Sequence, residues 1–224
     1  MKSKLLFSAV SFLLVSHAAM AQSDITIEAK AGIVISDMRG DALNGMNSII
    51  DAADGYITRK PMRGYTFGAA VNIPIAPSVT LQPGLQYTQT GTILKGDIGV
   101  KALDLIGIGA SARLMQHKIE FPLHLKVQVA EGLQVMAGAN GAYAFDNSLR
   151  LRARVLGFNL INRKVDMNTV FEPFQVSATA GLQYTFKSGI GFAANYEHGL
   201  TRLIENMEAN VYGSSTRFLV TYRF

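Results

Sequence analysis

From residue 25 onward, apolar and polar side chains change places one by one, and the alternation recurs in eight blocks. Ile25, Ile27, Ala29, Ala31, Ile33 and Ile35 alternate with Thr26, Glu28, Lys30, Gly32, Val34 and Ser36. Ile119, Phe121, Leu123, Leu125, Val127 and Val129 do the same against Lys118, Glu120, Pro122, His124, Lys126 and Gln128. The same period runs through 65–75, 79–88, 133–145, 174–186, 190–197 and 216–224. A period of two places successive side chains on opposite faces of a strand, so the pattern predicts eight strands, most of them about ten residues long.

The connections are of two kinds, and they alternate. Short turns at 76–78, 130–132 and 187–189 join strands whose flanking apolar residues are four apart, and two of them carry Gly third, as a three-residue hairpin wants. Longer segments at 37–63, 92–116, 146–173 and 199–215 make the other connections. All short turns therefore lie at one end of the sheet and all long loops at the other. This is the arrangement of outer-membrane barrels, with short periplasmic turns and long extracellular loops.

Period two alone does not say which face meets what; the contents of the faces do. The polar face carries Glu28, Lys30, Glu120, Lys126, Glu197, Arg217 and Arg223 among repeated glycines, a mixture suited to a crowded interior of ion pairs. The apolar face has no Lys, Arg, Asp or Glu within the strands. Its aromatics form two groups: Tyr65, Phe67, Tyr87, Tyr143, Phe145, Phe174, Tyr196 and Phe218 near the long loops, and Tyr184, Phe186, Phe192, Tyr222 and Phe224 near the short turns. Two aromatic girdles around an aliphatic belt fit the two interfaces of a bilayer. The expected fold is all-β, an eight-stranded antiparallel up-and-down transmembrane β-barrel. The closing strand "TRFLVTYRF" pairs with the first, so no edge is left to fray. Its terminal aromatic resembles the signal read by barrel-assembly machinery.

Composition refines this in three places. Lys2 and Lys4, the apolar run to Val15 and Ala19-Met20-Ala21 read as a cleaved signal peptide over 1–21, leaving 22–224 as one domain. Without those two lysines the formal charge falls from +5 to +3, a mild basic balance that does not suit a nucleic-acid binder. With no cysteine, there is neither a disulfide nor a thiolate metal site.

The strand "KIEFPLHLKV" (118–127) resembles the Glu-apolar-Pro-Leu-x-Leu-Lys strand of the PorT-like outer-membrane β-barrel family of Bacteroidota. "NYEHGLTRL" (195–203) is similar to that family's Tyr-x-x-Gly-Leu-x-x-apolar segment. The resemblance covers about 25–224 and implies an eight-stranded barrel behind a signal; the family's namesake belongs to a protein secretion and gliding machinery. His124 and His198 stand where the family often has apolar or aromatic residues, so they inherit no role.

Candidate chemistry is thin. His198 near Ser214 or Ser215, with Glu197 or Glu205, is the one set that a lipid-A-modifying enzyme would use, but its spacing matches no hydrolase arrangement and reads as rim and loop residues. His117 faces opposite to Glu120 and His124, which points to hydrogen bonding in the lumen rather than a metal site. No cofactor is expected. The interior charges read as a plug of ion pairs, because eight strands leave a lumen that side chains fill. In "LRLRARV", Arg150, Arg152 and Arg154 share a parity that continues the lumen-facing register of the fifth strand. With Arg163 and Lys164 they form a basic rim suited to phosphates of lipopolysaccharide or another acidic ligand. The expected partners are outer-membrane lipid and lipopolysaccharide and the barrel-assembly machinery, and the expected role is non-catalytic.

Overall fold

The computed structural model describes residues 25–40, 57–97, 109–155, 158–204 and 210–224; the expected signal segment lies outside the described residues. Nine strands are present among them: β1 (Thr26–Arg39), β2 (Ile57–Ala76), β3 (Val79–Asp97), β4 (Gly109–Ala130), β5 (Leu133–Val155), β6 (Phe158–Asp166), β7 (Phe174–Thr185), β8 (Ile190–Gly199) and β9 (Tyr212–Arg223). Eight of them close into a ring, β1-β2-β3-β4-β5-β7-β8-β9, with β9 pairing back onto β1, and all neighbours are antiparallel. The ninth, β6, pairs only with the outer part of β5.

The faces are inverted relative to a soluble protein. Phe121 is 58% exposed while Glu28, Glu120 and Lys126 are 0% exposed, and β7 and β8 alternate between exposed, mostly apolar positions and buried or half-buried, mostly polar ones. Lipid satisfies the first set, and the lumen's own hydrogen bonds satisfy the second. Ring contacts knit the girdles: Phe67 to Tyr87 at 5.2 Å and Tyr143 to Phe174 at 5.1 Å on the long-loop side, Tyr184 to Phe186 at 4.9 Å and Tyr222 to Phe224 at 4.7 Å on the other.

Two expectations are corrected. The segments read as long loops are partly strand: β2 begins at Ile57, β3 runs to Asp97, β4 starts at Gly109 and β5 continues to Val155. Apolar-out alternation stops where lipid stops, but interstrand hydrogen bonding needs no lipid and carries on into water. The pattern therefore measures the membrane, not the strand. Second, the turns are tighter than three residues at two sites, where Ala76 pairs with Val79 and Ala130 with Leu133 across irregular registers. Gly132 (φ 74°) and Gly189 (φ 85°) take the left-handed conformation their turns require.

At the long-loop end an apolar cluster that no periodicity announced closes the mouth. Met38, Leu114, Phe171, Leu203 and Val211 are buried together, with Leu149 and Met167 packed on them. Backbone bonds from Leu203 N–H to Val211 O (2.8 Å) and from Glu172 N–H to Leu203 O (2.9 Å) tie the two contributing segments to each other.

Candidate functional site

The lumen holds two clusters of charge, each centred on carboxylates that accept several hydrogen bonds. Toward the short turns, Glu28 on β1 accepts from Lys126 Nζ at 3.2 Å, Gln82 Nε2 at 3.0 Å and Gln183 Nε2 at 2.8 Å. Lys30 lies 3.5 Å from it and Arg223 at 4.0 Å. The two lysines are held in turn, Lys30 donating to Gln82 Oε1 at 2.6 Å and Lys126 to Gln183 Oε1 at 2.7 Å.

Toward the mouth, Arg217 on β9 donates to both oxygens of Glu120 on β4, at 2.7 and 3.0 Å, and to Glu197 on β8. Gln86 and Thr88 complete Glu120 at 2.7 and 2.8 Å, while Asn140 (2.9 Å), Ser215 (3.3 Å) and Ser177 serve Glu197. Such satisfaction is what a buried charge demands: an unpaired one would cost several kcal/mol, on the order of 3–5 when a partner is removed. Above this cluster, beneath the apolar cap, a cavity of about 40 Å³ is lined by Ser36, Thr90, Gln116, Lys118, Ser177 and Ser215, room for water rather than for a passing solute.

The glutamines and Asn140 that complete the network occupy lumen-parity positions, but parity alone does not reveal which carboxylate each will reach. His124 departs from the hydrogen bonding expected of it: it is buried, and among the described residues neither ring nitrogen has a partner. His117 is outside, bonded to Tyr87 and in a tilted ring contact with Phe145 at 6.4 Å. His198 sits exposed on the outer face beside Tyr196 and directly opposite Ser214 of β9, and Glu197 is on the lumen face opposite Ser215; the Ser214 hydroxyl donates to Asp37 O and the Ser215 hydroxyl to Glu197, and among the described residues no side-chain hydrogen bond joins His198 to either serine. Glu205 lies outside the described residues. Among the described residues no group of three His, Asp or Glu could hold a metal ion.

The basic rim is rearranged. His117 pairs with Asp146 but Lys118 with Ala144, so Phe145 is an extra residue on β5 and the parity flips there. Before the bulge the lumen-facing residues of β5 are even-numbered; beyond it Asn147 faces in, accepting from Gln116 Nε2 at 2.8 Å, and Leu149 packs on the mouth cluster. Arg150 and Arg152 therefore turn away from the lumen, contrary to the continued register expected from the sequence. Arg150 stands opposite Arg113 of β4 and Lys164 of β6. Arg163 pairs with Leu151, on the other face. The side chain of Arg154 lies outside the described residues; its backbone pairs with Gly109.

The profile of a family described as "Outer membrane protein beta-barrel domain" matches residues 20–205. No curated protein matches the chain. Among solved structures, the attachment invasion locus protein Ail of Yersinia pestis, in complex with the heparin analogue sucrose octasulfate, is 13% identical over 90% of this chain and 100% of its own, with a TM-score of 0.43. Neisserial surface protein A is 9% identical over 90% and 100%, with a TM-score of 0.42. The translocator domain of the autotransporter NalP from Neisseria meningitidis is 12% identical over 100% and 98%, with a TM-score of 0.34.

Proposed function

The chain belongs to the outer membrane protein beta-barrel domain family, and from that premise we propose that it is a closed, non-catalytic barrel whose function is carried by its outer surface. One observation supports this reading above the rest: the lumen is crossed by paired charges that join β4 to β1, β8 and β9 on the other side of the ring, then capped by apolar side chains, and neither layer suits a transport path. The strand extensions beyond the girdle, with Arg150, Arg152, Arg154, Arg163 and Lys164, are the contact surface, and acidic groups such as those of lipopolysaccharide are its partners.

The test is electrical. Reconstituted into planar bilayers, the protein should give no step currents, whereas an open barrel of this size would; sustained single-channel conductance would overturn the reading.

A second reading is favoured by the resemblance of 118–127 and 195–203 to the PorT-like family: an accessory part of a secretion apparatus. Deletion that blocks export of a defined set of proteins would support it, and unchanged export would remove it.

A further inference from the structure

Opposite residues on adjacent antiparallel strands share a face, and cations placed opposite one another repel. Beyond the girdle this protein lines them up. Across β6, β5, β4, β3 and β2 the partners run Lys164, Arg150, Arg113, Ile93 and Lys60, four cations in five positions. Lys60, Arg113 and Lys164 are exposed and Arg150 is half-buried. Asp146 answers only Lys164, at 3.2 Å; among the described residues no carboxylate pairs with Lys60, Arg113 or Arg150.

The row has a definite address. Arg113 shares the parity of His117, Ile119 and Phe121, the face turned from the lumen toward the membrane side. It lies four residues beyond His117, which touches Tyr87 and Phe145 in the girdle. At about 3.3 Å per residue and a tilt of about 40°, that puts the row about 10 Å outside the girdle, at the outer edge of the polar headgroup layer. Its width over five strands is about 19 Å. A row of guanidinium and ammonium groups on the membrane-side face, in which among the described residues only Lys164 has a carboxylate partner, is complementary to a layer of phosphates.

We infer that Lys164, Arg150, Arg113 and Lys60 form a binding site for the phosphate groups of outer-leaflet lipopolysaccharide, engaged from within the membrane plane. The inference rests on the outer surface being the contact surface, and it sharpens that reading: Arg113 and Lys60 join the site, and Arg163, on the other face, leaves it.

The experiment uses the full chain in nanodiscs of phosphatidylcholine containing diphosphoryl lipid A, enzymatically dephosphorylated lipid A, or neither, with inorganic pyrophosphate in solution as a separate arm. Expected is retention of diphosphoryl lipid A at least tenfold above the dephosphorylated form, lost in K60Q/R113Q/R150Q/K164Q and kept within twofold in R163Q. Folding of each variant is checked by its heat-dependent gel shift, and R113Q/R150Q, a milder pair, should lose most of the preference if the quadruple variant does not fold. In lipid-free detergent R113Q/R150Q should melt higher than the unaltered protein, because the repulsion is gone. Undiminished phosphate preference in the pair, loss of it in R163Q, a lower melting temperature for the pair, or equal affinity for free pyrophosphate would each overturn the site. A site overturned in a barrel that still passes no current leaves the closed-barrel reading standing; current through the barrel with the phosphate preference intact does the reverse.

Discussion

Arg217 holds both oxygens of Glu120, at 2.7 and 3.0 Å, from the opposite side of the ring: β9 and β4 are four strands apart in either direction. A single side-chain pair thus spans the width of the barrel. It makes the lumen a cross-braced interior, and Glu197 is drawn into the same clamp.

Replacing Arg217 by Met should destabilise the barrel by about 3–5 kcal/mol, since two buried carboxylates lose their counter-charge. The urea midpoint of the detergent-solubilised protein reads this directly. Neutralising the acids as well, in E120Q/E197Q/R217M, should restore most of the loss. An R217M variant as stable as the unaltered protein would mean that the clamp is not formed.

Removing the long cations that cross the lumen should also open it. K126A/R217A is expected to pass step currents in planar bilayers where the unaltered protein passes none. A silent variant that still shows the heat-dependent gel shift would place the seal in the apolar cap of Met38, Leu114, Phe171, Leu203 and Val211 instead.

How much of this was legible in the chain follows from what each signal measures. The eight ring strands and their inside-out faces were readable because lipid imposes a strict period of two on the segments it touches. The same parity put Arg217 and Arg223 inside, although it left the register of the seam open. Past the girdle, water accepts either face, and the signal vanishes although the strands continue. That is why β6, the outer halves of β3 and β4, and Arg113 as a partner of Arg150 were out of reach. The Phe145 bulge is the sharpest case: one extra residue reverses every side chain after it, and Phe145 itself, an apolar residue at an expected apolar position, gives no hint of it. The apolar cap was hidden for a different reason, since its residues come from segments with no shared period.

The left-handed turn glycines make a local prediction. Gly189→Ala should cost about 1–2 kcal/mol, because φ is 85° and an added Cβ would sit 2.6 Å from Arg223 O. Gly141→Ala, where an added Cβ meets nothing within 4 Å, should change stability by less than about 0.5 kcal/mol. Parallel unfolding curves decide it; equal effects would contradict the turn geometry.

Charge on the outer face should be punished according to depth. Phe121, 58% exposed in the middle of the aliphatic belt, should cost about 2–4 kcal/mol when changed to Lys. The same change at Phe174, in the outer girdle, should cost no more than about 1 kcal/mol. Equal costs in refolding titrations with lipid would place the membrane elsewhere on the barrel.

Phe224 donates its backbone N–H to Ile27 O at 2.9 Å, so the first and the last strands of the ring meet in one hydrogen-bonded seam. That seam orders events in time. Glu28 and Glu120 reside on β1 and β4, but Arg223 and Arg217, which help to balance them, arrive with β9. Until β9 docks on β1, the inserting barrel balances Glu28 with Lys30 and Lys126 and Glu120 with Lys118, and the arginines that complete both clusters are missing. Completing the wall and neutralising what it encloses are therefore one step, and the barrel's interior becomes compatible with lipid only at the moment its circumference is whole.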